Sequence, residues 1–291
     1  MSSNTMAPIR VLTLTVLAML AFAGNSLFCR LALKTTAIDA ASFTSIRLAS
    51  ASLLLTCLVM ANRSFVLAHG NWSSAVALFV YAAGFSFAYI KLPAATGALL
   101  LFGAVQATMI SYGLFKGERL VGLRLGGFVL AMGGLLMLML PGLSAPPMGS
   151  ALLMLLAGVA WGAYTLRGKG AANPMAVTAG NFVRTLPMTL GVSLFMAPQF
   201  SIDRAGVIYA VLSGALTSGL GYAIWYKVLP ALKATNAATV QLSVPVIAAL
   251  GGVVLLGEPL TGLMLGASGA ILLGILLVLR VPQTGLVKPP A

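Results

Sequence analysis

Two arginines stand inside long apolar stretches of this chain, where a cation is costly to bury and therefore informative. Arg47 lies about seven residues into one stretch and Arg184 about ten into another. An arginine at such depth suits the carboxylate of a bound solute. It equally suits a clasp onto helix-end carbonyls, with its stem snorkelling through the apolar layer. Both readings stay open at this point.

Aromatic residues form a second group. Tyr81, Phe85 and Tyr89 are four apart and share one helical face, and Tyr222 and Tyr226 repeat that spacing. Trp72, Tyr89 and Tyr226 fall near segment ends, as an interfacial belt would. Tyr81, Trp161, Tyr164 and Tyr222 fall mid-segment, where a buried O–H or N–H seeks a partner. These four are the expected lining of a small-molecule cavity, which is mostly apolar with a few convergent polar groups. Amides and hydroxyls are the third group: Asn25, Ser26, Gln106, Asn181, Asn236, Gln241 and Ser243. Helix–helix hydrogen bonds would satisfy them without a ligand. Gln241, one turn before Pro245, and Asn25 join the candidate binding residues.

The missing chemistry narrows the classes. Of the four acidic residues, Asp39 and Asp203 sit in loops, and Glu118 and Glu258 sit near helix starts, where capping accounts for them. The single histidine, His69, is in a polar loop. No metal-ligand spacing, nucleophile triad or phosphate loop occurs, so neither a cofactor nor an enzymatic activity is expected. Without an intramembrane carboxylate a proton relay is not expected either, which leaves facilitated transport or exchange. A membrane-embedded lipid enzyme and a non-transporting membrane subunit are the competing classes.

The elements that must position these groups follow from composition. The 291 residues are 60% hydrophobic and 7% charged, more apolar surface than a water-soluble fold of this size can hide. In lipid every backbone polar group must be satisfied internally, so helices or closed barrels remain. The apolar runs do not alternate and are about 20 residues long, which selects helices. Ten segments can be laid down: 9–29, 40–61, 73–92, 94–115, 121–141, 149–167, 175–197, 205–229, 232–256 and 260–280. The net charge of +13 is spread singly through short loops, which argues against a nucleic-acid partner. Cys29 and Cys57 read as unpaired thiols facing lipid or core.

The chain repeats itself. A shift of 140 positions lays Gly117, Glu118, Leu120, Gly122, Gly126 and Gly134 on Gly257, Glu258, Leu260, Gly262, Gly266 and Gly274. A shift of 137 lays Arg47 on Arg184, Gly84 on Gly221 and Leu92–Pro93–Ala94 on Leu229–Pro230–Ala231. The two copies span 1–145 and 146–291. Five crossings each make the second copy enter from the opposite side, an inverted-topology repeat. Eleven loop Lys and Arg on the side of the N-terminus, against Arg30, Lys34, Lys91 and Arg204 on the other, place both termini in the cytoplasm. The small residues Gly122, Gly126 and Gly134, with Gly262, Gly266, Ala270 and Gly274, mark the fifth and tenth segments as a packing scaffold.

With this duplication in hand, the chain resembles the drug/metabolite transporter superfamily, and within it the ten-helix EamA-type permeases. The residues that carry the resemblance are Pro245–Val246, Gly257–Glu258–Pro259–Leu260, Gly262 and Gly266, and it covers essentially the whole chain. The family's Trp-Gly is kept as Trp161–Gly162 in the second copy and reads Ala23–Gly24 in the first. The resemblance implies export of amino acids and other small metabolites through a cavity between segments 1–4 and 6–9. Aromatic or neutral amino acids are the expected substrates, with amphiphilic drugs the alternative. The expected setting is the bacterial inner membrane, with the lipid bilayer and a small solute as partners. A monomer suffices, and a dimer is compatible. Pro93, Pro230 and Pro245 are the expected hinges.

Overall fold

A computed structural model describes residues 7–61, 66–115, 122–139, 146–168, 171, 173–228, 231, 240–241 and 243–280. Ten α-helices organise the described residues, and no strand occurs among them. They are α1 (Pro8–Thr35), α2 (Ala40–Ala61), α3 (Trp72–Tyr89), α4 (Ala94–Phe115), α5 (Leu123–Met139), α6 (Met148–Gly168), α7 (Pro174–Phe195), α8 (Arg204–Val228), α9 (Ser243–Leu256) and α10 (Gly262–Arg280). Six of them, α1 to α4, α6 and α8, are individually long and apolar enough to cross a bilayer. Leu53, Leu190, Phe195 and Val254 point large apolar side chains outward, where lipid accommodates them. The chain is an all-α, multi-pass membrane protein.

Consecutive helices run in opposite directions. The distal end of the bundle gathers the turns after α1, α3, α7 and α9, and the proximal end carries Pro8 and Arg280. The helices interlace. α2 packs on α7 and α5 on α10, while α3 meets α6 as α1 meets α8, and α4 meets α6 as α1 meets α9. Exchanging α1–α5 for α6–α10 maps these pairings onto themselves.

Helix α1 continues to Thr35, beyond the segment end drawn at Cys29. Arg30 and Lys34 belong to the helix because each finds an acceptor. Arg30 Nε meets Glu258 Oε1 at 2.8 Å, and Lys34 Nζ donates to the Leu256 carbonyl at 2.9 Å. Asp39 accepts the Ala41 and Ser42 amides at the start of α2 and the Ser201 amide at 3.0 Å, joining that start to the α7–α8 turn.

The α5–α10 seam is closely packed, but along a different row from most of the glycines picked out by their spacing. Cβ atoms added at Gly126 or Gly262 would meet nothing within 4 Å. At Gly127 an added Cβ would come within 2.6 Å of the Gly274 carbonyl, and at Gly134 within 3.0 Å of the Ala267 carbonyl. A four-residue repeat drifts around a 3.6-residue helix, so sequence spacing alone misplaces the row.

Candidate functional site

The mid-segment aromatic residues converge from α3, α6 and α8. The Trp161 ring lies 4.8 Å from Tyr81, 5.2 Å from Tyr222 and 5.6 Å from Tyr164, between centroids. Gly158 and Gly162 let α6 approach α4 closely on the neighbouring face, against Leu101, Ala104 and Thr108.

Beside these rings lies a small cavity of about 30 Å³. Asn25, Ser26, Tyr81, Trp161, Thr217, Ser218, Tyr222 and Gln241 line it, together with Phe22, Phe85, Leu101 and Phe102. Asn25 stands ten residues before the distal end of α1, about 15 Å of helix and so about halfway through a hydrocarbon core. A water needs roughly 10–15 Å³ on this scale, so the cavity has room for about two. A solute the size of an amino acid requires the helices to part.

A hydrogen-bonded chain runs along one wall. Ser213 Oγ donates to Asn25 Oδ1 at 2.6 Å, while Thr217 Oγ1 donates to the Ser213 carbonyl at 2.7 Å and stands 3.5 Å from Asn25 Oδ1. Asn25 Nδ2 donates to the Tyr81 hydroxyl at 3.2 Å, as does Arg47 Nη2, also at 3.2 Å. Arg47 is 2% exposed and lies over the Phe85 ring at 4.8 Å. Its Nε and Nη1 have no hydrogen-bond partner among the described residues.

Seven of the eight candidate residues therefore belong to one contiguous set, although not all line the cavity. Arg47 stands behind Tyr81. Tyr164 stands on the proximal side of Trp161, where it borders a smaller cavity of about 10 Å³ with Arg167, Thr178, Asn181 and Tyr226. Gln241 lines the central cavity, while Asn236 and Pro230 lie outside the described residues. Arg184 lies apart: its Nη1 donates to the His69 carbonyl at 2.6 Å and to the Gly180 carbonyl at 2.9 Å. The two arginines that align in the sequence thus have different surroundings.

Other expectations need correction. Trp72 is 58% exposed, as a belt residue should be, but Tyr89 is fully buried, packed edge-on to Phe85 at 4.7 Å. Glu258 does not cap the helix that follows it. Its Oε2 accepts the Ala94 amide at 2.7 Å and so caps α4, while Oε1 pairs with Arg30. Sequence reasoning also missed Ser213, Thr217 and Ser218. They lie on a π-helical stretch of α8, Leu212–Leu220, where Ser218 Oγ donates to the Ser213 carbonyl five residues back at 2.9 Å. Such widened turns recur at functional sites. The run of Gly and hydroxyl residues from Ser213 to Gly221 was the available signal.

A larger concavity of about 700 Å³ opens sideways between α4, α5 and α6. Its wall is mostly Ala, Leu, Val, Met and Phe, which suits lipid chains better than a polar solute. Among the described residues no three His, Cys, Asp or Glu side chains gather as metal ligands would.

The comparisons with known proteins agree with this architecture. The profile of the EamA-like transporter family matches residues 148–280. An uncharacterised protein of Pseudomonas aeruginosa is 60% identical over 277 residues, 95% of this chain and 96% of that one. An uncharacterised transporter of Archaeoglobus fulgidus is 32% identical over 181 residues, 59% of this chain and 63% of its own length. A probable amino-acid metabolite efflux pump of Salmonella typhimurium is 27% identical over 208 residues, 66% of this chain and 70% of its own. A protein of known crystal structure shares the fold, with a TM-score of 0.64 and 18% identity, covering 95% of this chain and 98% of that one. Helices that cross lipid, a family profile on the second half and relatives named as transporters lead to one conclusion: the chain belongs to the EamA-like transporter family and is a membrane transporter of small metabolites.

Proposed function

We propose that the protein exports small amphiphilic metabolites, amino acids foremost, across the bacterial inner membrane by alternating access. The observation that carries this reading is the mid-depth meeting of Asn25, Tyr81, Trp161 and Tyr222 around a cavity walled by helices of both halves. The self-mapping helix pairings support two inverted halves, 1–145 and 146–291, that rock about this cavity. Arg30, Lys34, Lys91 and Arg204 are few against the Lys and Arg of the opposite loops, so the distal end faces outward and both termini face the cytoplasm. The name of the Salmonella relative supports amino acids as the solute class. Transport runs down the solute gradient, by facilitation or exchange, without a dedicated carboxylate relay. A monomer contains the whole path.

Proteoliposomes loaded with radiolabelled phenylalanine or leucine test this. Wild-type protein should release label, and Trp161→Ala should slow release about tenfold, whereas Cys57→Ser, on the exposed face of α2, should not. Release that needs an imposed proton gradient would refute the coupling proposed. No release of either amino acid would refute amino-acid export.

A further inference from the structure

The cation beside the cavity lacks a counter-ion among the described residues. Arg47 is 2% exposed, and two of its three guanidinium nitrogens have no partner there. The Tyr81 and Phe85 rings cover its face, and neither replaces the missing acceptors. The described carboxylates are held elsewhere: Asp39 at the start of α2, Asp203 at the start of α8 and Glu258 on Arg30. A guanidinium buried with unsatisfied donors is costly, so such groups normally sit with an anion. The hydroxyl in front of it is arranged to pass that charge forward. The Tyr81 oxygen accepts from both Arg47 and Asn25, which occupies its two lone pairs and leaves its O–H to donate. Asn25 is held in the orientation this needs, because Ser213 donates to its side-chain oxygen at 2.6 Å. Tyr81 and Asn25 line the cavity, and hydrogen bonds in such a chain strengthen one another.

We propose that Arg47 and Tyr81 form an anion subsite that selects solutes carrying a carboxylate and refuses their neutral isosteres. This rests on the transport reading above and specifies its substrate. The carboxylate accepts the Tyr81 O–H, and Arg47 supplies the charge that compensates it at mid-depth. Asn25 and Ser213 act as positioning residues through Tyr81.

Acetate and acetamide share shape and differ in charge, so they separate charge recognition from fit. The purified full chain in detergent is titrated with each, in low-salt buffer, with melting temperature and calorimetry as readouts. Acetate should bind and raise the melting temperature, and acetamide should do neither. Arg47→Gln should weaken acetate binding at least about tenfold. Tyr81→Phe, which keeps the ring, should weaken it several-fold and serves if Arg47→Gln does not fold. Equal responses to the two probes, or full acetate binding in the variants, would overturn the subsite. Binding of chloride with no binding of acetate would overturn it as well. Labelled amino-acid release in liposomes reports separately: release without acetate selectivity rejects the subsite alone, and acetate selectivity without release rejects the transport reading alone.

Discussion

Arg30 and Glu258, separated by 228 residues, meet at 2.8 Å at the distal end of the bundle, and the pair gathers four helix ends. Arg30 Nη1 also donates to the Tyr89 and Ile90 carbonyls at the end of α3, each at 2.9 Å. Glu258 caps α4, and its own amide donates to the Gly252 carbonyl of α9 at 3.1 Å. Tyr89 lies buried beneath, with its hydroxyl donating to the Ala94 carbonyl at 3.3 Å. These contacts tie the four helix ends together at the distal end.

Removing one partner of this pair leaves the other charge buried. Arg30→Ala should cost about 3 kcal/mol of stability and open the distal path. Glu258→Gln should cost less than Glu258→Ala, because the amide oxygen can still accept the Ala94 N–H. Melting temperature reads the first effect. In a background without Cys29 and Cys57, labelling of Ser26→Cys by an impermeant thiol reagent reads the second. Unchanged labelling in Arg30→Ala would reject the closing role.

The α5–α10 seam gives a paired test. Gly127→Val should destabilise by about 1–3 kcal/mol, since its Cβ meets the Gly274 carbonyl and the Leu277 Cβ. Gly126→Ala, with nothing within 4 Å, should be neutral or stabilising by about 0.5 kcal/mol. Unfolding titrations of the two variants should separate them by sign. Equal effects would mean that the seam lies elsewhere.

Asp39 sets a pH dependence. Burial alone would raise its carboxyl pKa, but hydrogen bonds from Ser42, Ser201 and Ala41 outweigh that and hold it below the ordinary carboxylate range. A depressed folded value means that the contribution is fully present above the unfolded pKa of about 3.9 and is lost as pH falls through the folded one. Asp39→Asn keeps a capping oxygen and removes the titration. The melting-temperature gap between wild type and Asp39→Asn should be widest near neutral pH and should close below about pH 4. A gap that widens on acidification would reverse the sign and reject this account.

Lipid as solvent made much of the architecture legible in the sequence. The apolar runs had to be helices, and most described boundaries agree within a few residues; α1 is longer because Arg30 and Lys34 found partners that extended it. Mid-segment position was enough to pick out Tyr81, Trp161 and Tyr222, because a polar tip deep in lipid needs a partner wherever it stands. Environment was not legible. Arg47 and Arg184 align in the sequence, yet only the folded chain shows Arg184 clasping the His69 carbonyl and Arg47 behind Tyr81 with two nitrogens unpaired among the described residues. The role of Glu258 was hidden for the same reason, since its partners Arg30 and Ala94 lie 228 and 164 residues away. Periodicity and composition mark a stretch as a helix that crosses lipid, and they carry no information on which distant helix a given face meets. The meeting of Asn25 with Ser213, and of Gly127 with Gly274, was decided by tertiary packing alone.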